Sequence, residues 1–279
     1  MSGNLYVVAT PIGNLDDLTA RGRQVLSAVD LIAAEDTRHT GRLLMSIGVK
    51  KTLLALHDHN EEQAVPQCIE ALQKGLSVAL VSDAGTPLVS DPGYRLVRAA
   101  HRHAIKVVPI PGPSAVTAAL SAAGLATDRF CFEGFLPARS SARRKALDAL
   151  RDETRTMVFY ESVHRIGDSL ADLALAFGDQ RSAFIGRELT KLHEECVQGT
   201  LGDLRRRIES GEMVAKGEFV VIVEGARSRP DSPVDTDKIL LLLGEHLGAK
   251  EVARIAAEIT GEKKNALYDR LLKLRQKQK

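Results

Sequence analysis

The sequence predicts an α/β protein with two successive α/β domains and a small helical extension. Its 279 residues exceed the roughly 100–200 that one compact domain usually holds. Short apolar runs alternate with amphipathic segments through residue 123, and the alternation resumes after a polar segment at 124–129. A proline-bearing polar stretch at 227–233 then precedes three helical segments. We therefore predict domains at 1–124, 125–226 and 227–279.

The first domain is predicted to hold a mostly parallel sheet covered by helices. Its apolar runs are short and bounded by turn residues, as is typical of buried strands. The predicted strands are Leu5–Ala9, Leu31–Ala34, Thr52–Leu56, Val78–Val81 and Lys106–Ile110. The predicted helices are Ala20–Val29, His39–Ile47, Glu61–Lys74, Tyr94–His103 and Ser114–Ala123.

The second domain is predicted to hold a mixed sheet, because the fourth of its strands follows the third so closely that a hairpin is expected. The predicted strands are Phe130–Phe132, Met157–Tyr160, Ala183–Gly186, Glu195–Gln198 and Glu218–Val223. Helices are predicted at Ala142–Arg151, Ile166–Phe177 and Leu201–Glu209. The extension is predicted to contain helices at Asp237–Leu247, Lys250–Ile259 and Asn265–Arg275.

Composition favours a cytoplasmic globular protein without a membrane segment. Hydrophobic residues make up 44% of the chain and charged residues 27%. The apolar runs are far shorter than the ~20 residues that a bilayer requires. The N-terminus lacks the pattern of a signal peptide. The three cysteines are widely spaced and show neither a disulfide framework nor zinc spacing.

The net charge of +2 does not by itself indicate a nucleic-acid-binding protein, but the basic residues are clustered. One cluster is Arg139, Arg143, Arg144 and Lys145, another is Arg205–Arg207, and a third lies in the last 18 residues. The first follows three phenylalanines at 130, 132 and 135. Basic residues beside aromatic ones suit an RNA strand. Solvated helix faces and core burial of the phenylalanines remain the alternatives.

The loops after the first five strands are the predicted site of chemistry. The carboxyl ends of parallel strands meet at one sheet edge, where ligands bind. Three of the five loops contain glycine or proline, and three contain carboxylates. The loops begin at Thr10, Glu35, His57, Ser82 and Pro111. A polar and rigid set of loops at one edge indicates a small-molecule site.

Two common nucleotide-binding patterns are missing from these loops. No Gly-x-Gly-x-x-Gly follows the first strand, and the P-loop pattern does not occur in the sequence. His57-Asp58-His59 provides two possible metal ligands without an evident third, so we expect no metal site.

Several motifs resemble those of the tetrapyrrole methylase family. The two main ones are Asp83–Gly93 and Pro111–Ala115. A second group is similar to a bacterial branch of that family that acts on ribosomal RNA. These motifs are Pro11–Asn14, Glu35–Arg38, Phe132–Pro137, Tyr160–Arg165, Gly186–Lys191 and Lys216–Val221. The resemblance covers about residues 4–225.

The resemblance implies two α/β domains of the tetrapyrrole methylase type, with S-adenosylmethionine as the cofactor in the cleft between them. It implies 2′-O-methylation of a cytidine in the decoding region of 16S rRNA, with the small ribosomal subunit as partner, and a homodimer. By motif matching, the cofactor-binding residues would be Pro11, Asp83, Ala84, Gly85, Leu88, Ser114, Ala115 and Glu161.

Methyl transfer to a ribose hydroxyl requires alignment of the reactants and a group that removes a proton or stabilises the alkoxide. Glu35 and Asp36 are candidates for the base or a cofactor anchor. Arg38 could hold a phosphate or these carboxylates, and a neutral His57 could accept a proton. A structural hydrogen bond or ion pair is the alternative for each.

Two competing functions remain open. One is methylation of a tetrapyrrole or another small molecule on the same fold. The other is nucleic-acid-binding regulation, because 250–259 and 265–275 resemble a helix-turn-helix. We favour RNA docking for this segment, since a catalytic region precedes it.

Overall fold

The computed structural model describes residues 2–226 and 236–277. The predicted linker at 227–233 lies outside these residues. The chain forms two compact units, Met1–Gly225 and Ala226–Lys279. The predicted division into three domains stays a prediction.

The first sheet is fully parallel, and its five strands follow the order β3-β2-β4-β1-β5. The strands are β1 (Leu5–Val8), β2 (Leu31–Ala34), β3 (Thr52–Ala55), β4 (Val78–Val81) and β5 (Val107–Ile110). The helices are α1 (Ala20–Ala28), α2 (Thr37–Ser46), α3 (Glu61–Gln73), α4 (Tyr94–Arg102) and α5 (Ala115–Ala122).

The strand order places a switch point between β1 and β4. From β1 the chain passes to β2 and then to β3, toward one edge of the sheet. From β3 it passes to β4 and then to β5, toward the opposite edge. Because parallel crossovers are right-handed, the two directions put helices on opposite faces. Leu26 of α1 and Leu43 of α2 accordingly share one core, whereas Ile69 of α3 and Leu96 of α4 share another. The loops after β1 and β4 diverge at the switch point, where open α/β sheets bind ligands.

The second sheet is mixed, with the order β6-β7-β10-β8-β9. Its strands are β6 (Phe130–Phe135), β7 (Thr156–Ser162), β8 (Ser182–Arg187), β9 (Glu195–Thr200) and β10 (Glu218–Val223). Strands β6 and β7 are parallel, and the other pairs are antiparallel. The predicted hairpin of β8 and β9 is therefore confirmed.

Helices cover the two faces of the second sheet unequally. Helices α6 (Ser140–Ala149), α7 (Ile166–Phe177) and α8 (Leu201–Glu209) enclose one core with Phe159 and Ile185. Helix α5 packs on the other face, where Leu120 meets Val158 and Ile222. A helix that belongs to the first half of the chain thus joins the two sheets, and part of that face is left to line a cleft.

The C-terminal unit contains α9 (Thr236–Gly244), α10 (Ala249–Thr260) and α11 (Lys264–Lys277). They bury a small core of their own that includes Leu240, Ala256 and Leu267. Gly261 ends α10 in the left-handed conformation that favours glycine. The three predicted helices are present.

Several boundaries differ from prediction, and two of the differences have identifiable reasons. Helix α2 begins at Thr37 rather than at 39, because the Asp36 side chain accepts from the amide of Arg38 and caps the helix. Strand β6 extends past Phe132 through a register shift before Gly134, which is left-handed. No helix in the described ranges is long and apolar enough to cross a membrane.

Candidate active site

The loop after β4, residues 82–93 (the β4 loop), connects the other loops at its sheet edge. Its Gly85 exchanges two backbone hydrogen bonds with Thr10 of the β1 loop, at 2.9 and 3.0 Å. The Thr86 hydroxyl donates to the Pro113 carbonyl after β5 at 3.1 Å. The central position of β4 in the sheet explains these contacts, and the predicted convergence of loops is confirmed here.

Three acidic residues join the β2 and β4 loops by a reciprocal pair of hydrogen bonds. The amide of Asp36 donates to the Asp83 carboxylate at 3.0 Å, and the amide of Asp83 donates to the Glu35 carboxylate at 3.2 Å. Burial raises the pKa of Glu35, the Asp83 amide opposes this shift, and the charges of Asp83, Asp58 and Asp36 add to it. Glu35 thereby retains a proton more readily than an ordinary glutamate.

Asp36 and Arg38 form a close pair beside this group. The Asp36 carboxylate accepts from Nε of Arg38 at 3.1 Å and from Nη2 at 2.7 Å. The Arg38 side chain, followed by its backbone amide, holds the pKa of Asp36 well below its usual range. This pairing makes Asp36 a weak proton acceptor and suits it better to positioning the start of α2.

His57, the fourth predicted catalytic residue, lies after β3 at the same edge. Its amide donates to the Asn60 side chain at 2.8 Å, and its ring centroid lies 6.2 Å from that of His59. Its Nδ1 is buried and has no hydrogen-bond partner within the described residues. Glu35, Asp36, Arg38 and His57 therefore share one sheet edge, but none lines the cleft described next.

A cleft of about 410 Å³ lies between the loops of the first sheet and one face of the second. Five of the predicted cofactor-binding residues line it. They are Ala84, Gly85, Ser114, Ala115 and Glu161. The other three do not line it, namely Pro11, Asp83 and Leu88. Pro11 precedes the lining residue Ile12. Asp83 is one of the three acidic residues that join the β2 and β4 loops, and Leu88 packs against the core under α3 and α4.

Glu161 lines the cleft, but its carboxylate is already engaged by neighbouring protein groups. That carboxylate accepts from the Ser169 hydroxyl at 2.5 Å, from the amide of Ser162 at 2.7 Å and from Arg165 at 3.0 Å. Ser169 and Arg165 belong to the α7 side of the sheet. Its carboxylate is therefore a structural group between β7 and α7.

Several lining residues were not assigned from the sequence. Phe135 and Tyr160 form an edge-to-face pair with ring centroids 5.5 Å apart, and the Phe135 side chain is 54% exposed. Asp91 lines the same cleft, although its Asp-Pro-Gly sequence is typical of a turn. The motifs at 132–137, 160–165 and 216–221 include several of these lining residues. Only the strand pairing shows which side chains of each motif lie on the cleft side of the sheet.

Two lining loops have strained backbones. In the β4 loop Leu88 and Ser90 have φ of 75° and 67°, and after β8 Glu188 and Thr190 have φ of 49° and 65°. Such non-glycine conformations cost about 1–3 kcal/mol each and cluster at functional sites. The Thr190 hydroxyl accepts from the amide of Asn14 at 3.2 Å and so ties the loop after β8 to the β1 loop.

The basic clusters contribute less free charge than the sequence indicates. The Arg143 side chain is 3% exposed and its Nε lies 2.7 Å from Asp172, so Arg143 is part of the fold and is unsuited to phosphate binding. Arg205 and Arg207 lie within 3.7 Å of carboxylates. In the C-terminal unit Arg270 pairs with Asp237, while Lys264 and Lys273 are exposed.

Comparison with known proteins identifies two families along the chain. Residues 4–205 match the model of the Tetrapyrrole (Corrin/Porphyrin) Methylases, and residues 230–275 match the RsmI C-terminal HTH domain. A ribosomal RNA small subunit methyltransferase I of Escherichia coli O157:H7 is 54% identical, covering 95% of this chain and 93% of its own length. The Xylella fastidiosa (strain Temecula1) protein of that name is 52% identical, with coverage of 95% and 98%.

Solved structures with the same fold are more distant in sequence. A uroporphyrin-III-C-methyltransferase from Thermus thermophilus superposes with a TM-score of 0.57 at 19% identity, covering 80% of this chain and 94% of its own. The cobalt precorrin-4 methyltransferase CbiF gives a TM-score of 0.57 at 15% identity, with coverage of 79% and 94%. These likenesses establish the architecture of the two sheets.

Proposed function

The chain belongs to the tetrapyrrole methylase family, and from this premise we propose that it transfers a methyl group from S-adenosylmethionine to small-subunit ribosomal RNA. The supporting observation is the likeness to small-subunit rRNA methyltransferases over 95% of the chain. The proposed acceptor is the ribose 2′-hydroxyl of a cytidine in the decoding region of 16S rRNA. We also propose that the reaction takes place in the cytoplasm.

The cleft fits a cofactor of this size and character. Its volume of about 410 Å³ falls within the range of about 300–1,000 Å³ that encloses small ligands. The N-terminus of α5 opens onto it, and the Ser114 side chain makes no capping hydrogen bond there. The amide of Val116 hydrogen-bonds to the Tyr160 hydroxyl, and the other backbone amides of the first turn of α5 are available to a carboxylate. Gly85 is left-handed, and a Cβ there would lie 3.3 Å from Ile12, so glycine keeps this wall close-fitting.

The residues that line the cleft have different proposed roles toward the cofactor. We assign the carboxylate end to Ser114 and Ala115, and the apolar wall to Tyr160, Leu189 and Val220. Bound S-adenosylmethionine would supply an electrophilic methyl group on a sulfonium. The protein contributes by orienting the acceptor oxygen and by excluding water.

The predicted catalytic residues take a supporting role in this scheme. Glu35, Asp36 and Asp83 fix the β2 loop against the β4 loop, which lines the cleft. Arg38 extends from α2 with a largely exposed side chain, where it can meet an RNA phosphate as well as Asp36. His57, with its unpartnered Nδ1, remains a candidate proton acceptor at this edge.

RNA docking is proposed for the C-terminal unit, whose match to a helix-turn-helix domain favours nucleic-acid contact. The exposed Lys264 and Lys273 lie on α11. Sequence-specific DNA selected from a random pool would overturn this assignment. We also propose a homodimer from the resemblance, to be measured by sedimentation equilibrium.

The first test is methyl transfer to small ribosomal subunits that lack the modification, with labelled S-adenosylmethionine and mapping of the label. Label on a cytidine ribose of the decoding region is expected. If the protein binds the cofactor but labels a tetrapyrrole and leaves the RNA unlabelled, the small-molecule methylase replaces this proposal.

A pair of matched variants tests the location of the cofactor. Ala115→Phe places a ring in the cleft at the start of α5, and Ala122→Phe places the same ring at an exposed position on that helix. We expect Ala115→Phe to weaken cofactor binding at least tenfold by calorimetry, or about 1.4 kcal/mol. Ala122→Phe should bind like the wild type. Equal affinity of both variants would place the cofactor elsewhere.

A further inference from the structure

Three carboxylate residues line the cleft within the described residues, and they differ in their partners. They are Asp91, Glu161 and Glu218. Hydrogen bonds and Arg165 already engage the Glu161 carboxylate, and Glu218 forms an ion pair with Lys191 at 2.9 Å. A carboxylate whose oxygens are occupied by such partners is less available to a substrate hydroxyl.

Asp91 has a different environment. The Ser82 hydroxyl hydrogen-bonds to it, and the charges that act on it are the carboxylates of Glu35, Asp83 and Asp58. Tyr160 of the second sheet lines the same cleft. Burial is the main cause that raises the pKa of its phenol, and the negative charge of Asp91 adds to the rise. Asp91 therefore lies in the cleft without a cationic partner among the groups that act on it, and its neighbouring carboxylates favour its protonated form whereas Ser82 favours its ionised form.

The backbone around Asp91 is constrained. Leu88 and Ser90 are left-handed on its N-terminal side, and Gly93 is left-handed on the other, with φ of 117°. The amide of Gly93 donates to the buried Glu61 carboxylate at 3.0 Å. Strain that is retained at a cleft wall is a common sign of a side chain held in place for function.

We propose that the Asp91 carboxylate is the general base that accepts the proton of the ribose 2′-hydroxyl. The inference rests on the proposed function and adds a catalytic residue to it. The proton leaves the hydroxyl oxygen for Asp91, the ribose oxygen bonds to the methyl carbon, and the electron pair of the broken carbon–sulfur bond stays on sulfur. One proton and one methyl group are thus transferred without a further reactant.

The acid–base properties of Asp91 support this role. Burial is the main cause that raises its pKa to about 6, the Ser82 hydrogen bond opposes the rise, and the charges of Glu35, Asp83 and Asp58 add to it. A base is most effective when its pKa lies near the working pH. Asp91 would be ionised at neutral pH and still be a stronger base than an ordinary aspartate.

The central experiment compares Asp91→Asn with the wild type in single-turnover methylation and in cofactor binding. We expect Asp91→Asn to lower the methylation rate by about 10²–10⁴-fold, the usual contribution of a positioned base. The cofactor dissociation constant should change less than about threefold, or roughly 0.7 kcal/mol. Asp91→Glu should recover part of the rate, and Asp148→Asn, an exposed carboxylate of α6, should retain all of it.

Two pH measurements separate a base from a structural residue. The wild-type rate should rise with pH as Asp91 ionises, and this rise should vanish in Asp91→Asn. In the free protein, carbon-13 NMR of labelled aspartates should show a carboxyl that titrates near pH 6 and is absent from Asp91→Asn. Asp58→Asn should shift that titration to lower pH, because one repelling charge has been removed.

The outcomes discriminate between the two proposals. An active wild type whose Asp91→Asn variant keeps its rate and pH dependence overturns the role of Asp91 and leaves the function intact. A variant that loses cofactor affinity at an unchanged rate makes Asp91 a cofactor anchor and also overturns the proposal. A wild type that binds the cofactor without methylating RNA removes both.

Discussion

Carboxylates are used in opposite ways at the loop edge of the first sheet and between α6 and α7 behind the second. At the loop edge, burial raises the pKa values of Glu35 and Asp91, and the charges of neighbouring carboxylates add to the rise. Between the helices, burial alone would raise the pKa of Asp172, but hydrogen bonds from Arg144 and Arg143 outweigh burial and lower it. The first arrangement lowers the stability of the fold and leaves carboxylates near the cleft that accept a proton more readily. The second arrangement stabilises the fold.

The two regions should therefore respond to mutation in opposite directions. Replacement of a carboxylate behind the second sheet should destabilise the protein and leave the chemistry of the cleft intact. Replacement of Asp91, a cleft carboxylate without a cationic partner among the groups that act on it, should impair chemistry without loss of stability. Three predictions test this contrast.

The largest effect is expected for Asp172→Ala. It leaves the Arg143 guanidinium, whose side chain is 3% exposed, without its carboxylate. Breaking a buried pair in this way typically costs about 3–5 kcal/mol, measured here as the free energy of unfolding in urea. Arg144→Ala is the matched control, because that side chain is 57% exposed and a pair of this kind contributes about 0.2–1 kcal/mol.

The double variant Arg143→Met, Asp172→Leu sharpens that prediction. It removes both charges and fills the space with apolar groups, which is often neutral for stability. Stability near that of the wild type would confirm that the unpaired charge causes the loss in Asp172→Ala. A double variant as unstable as Asp172→Ala would instead indicate lost packing around α6 and α7.

An intermediate effect is expected for Asp36→Ala. Asp36 caps α2 and binds the Asp83 side chain through its amide, so its removal should disturb the β4 loop. We expect a catalytic rate about tenfold lower, with cofactor affinity changed less than about threefold, because the loss is one of positioning. Steady-state kinetics and calorimetry measure the two quantities.

Asp36→Ser separates the cap from the charge, since serine also caps helices well. A rate restored by serine would assign the role of Asp36 to the N-terminus of α2. A rate that stays low would assign it to the carboxylate and Arg38. Unchanged turnover in Asp36→Ala would remove Asp36 from the mechanism.

The same contrast explains how much of the molecule could be predicted from its sequence. Strands such as Val78–Val81 and Glu218–Val223 were predicted with the bounds that they have, because apolar runs between turn residues depend on local sequence. The convergence of the β1, β4 and β5 loops followed from the parallel strands. Asp91 belonged to the predicted loop set and to the Asp83–Gly93 motif but was not assigned a role, because its place in the cleft with Tyr160 depends on packing of the second sheet against the first.

The charged clusters show the same limit. Arg143 looks like an exposed cation in a basic run, but Asp172, which buries it, lies 29 residues further along the chain. Whether a cation is free or paired depends on contacts between distant segments. The sequence therefore predicted the positions of the elements well, and the electrostatic roles of individual side chains less well.

The smallest expected effect is the change in stability of Asp91→Asn with pH. It tests the contrast between the two kinds of carboxylate most directly. Asp91 has a folded-state pKa of about 6 against an ordinary value of 3.8, so the folded state binds its proton more tightly than the unfolded state. The stability from this group is complete below about pH 4 and is lost as the pH rises to about 6. Asp91→Asn should therefore be more stable than the wild type at pH 8, by on the order of 1 kcal/mol after allowance for solvent screening.

Urea unfolding of both proteins at pH 4 and pH 8 measures this difference, which should shrink toward zero at the lower pH. Asp172 should behave oppositely, because its lowered pKa gives stability that is lost as the pH falls through the folded-state value. A variant that is more stable at pH 8 and yet inactive would identify Asp91 as a residue retained for chemistry. A variant less stable at pH 8 than the wild type would place Asp91 with Asp172, as a structural carboxylate.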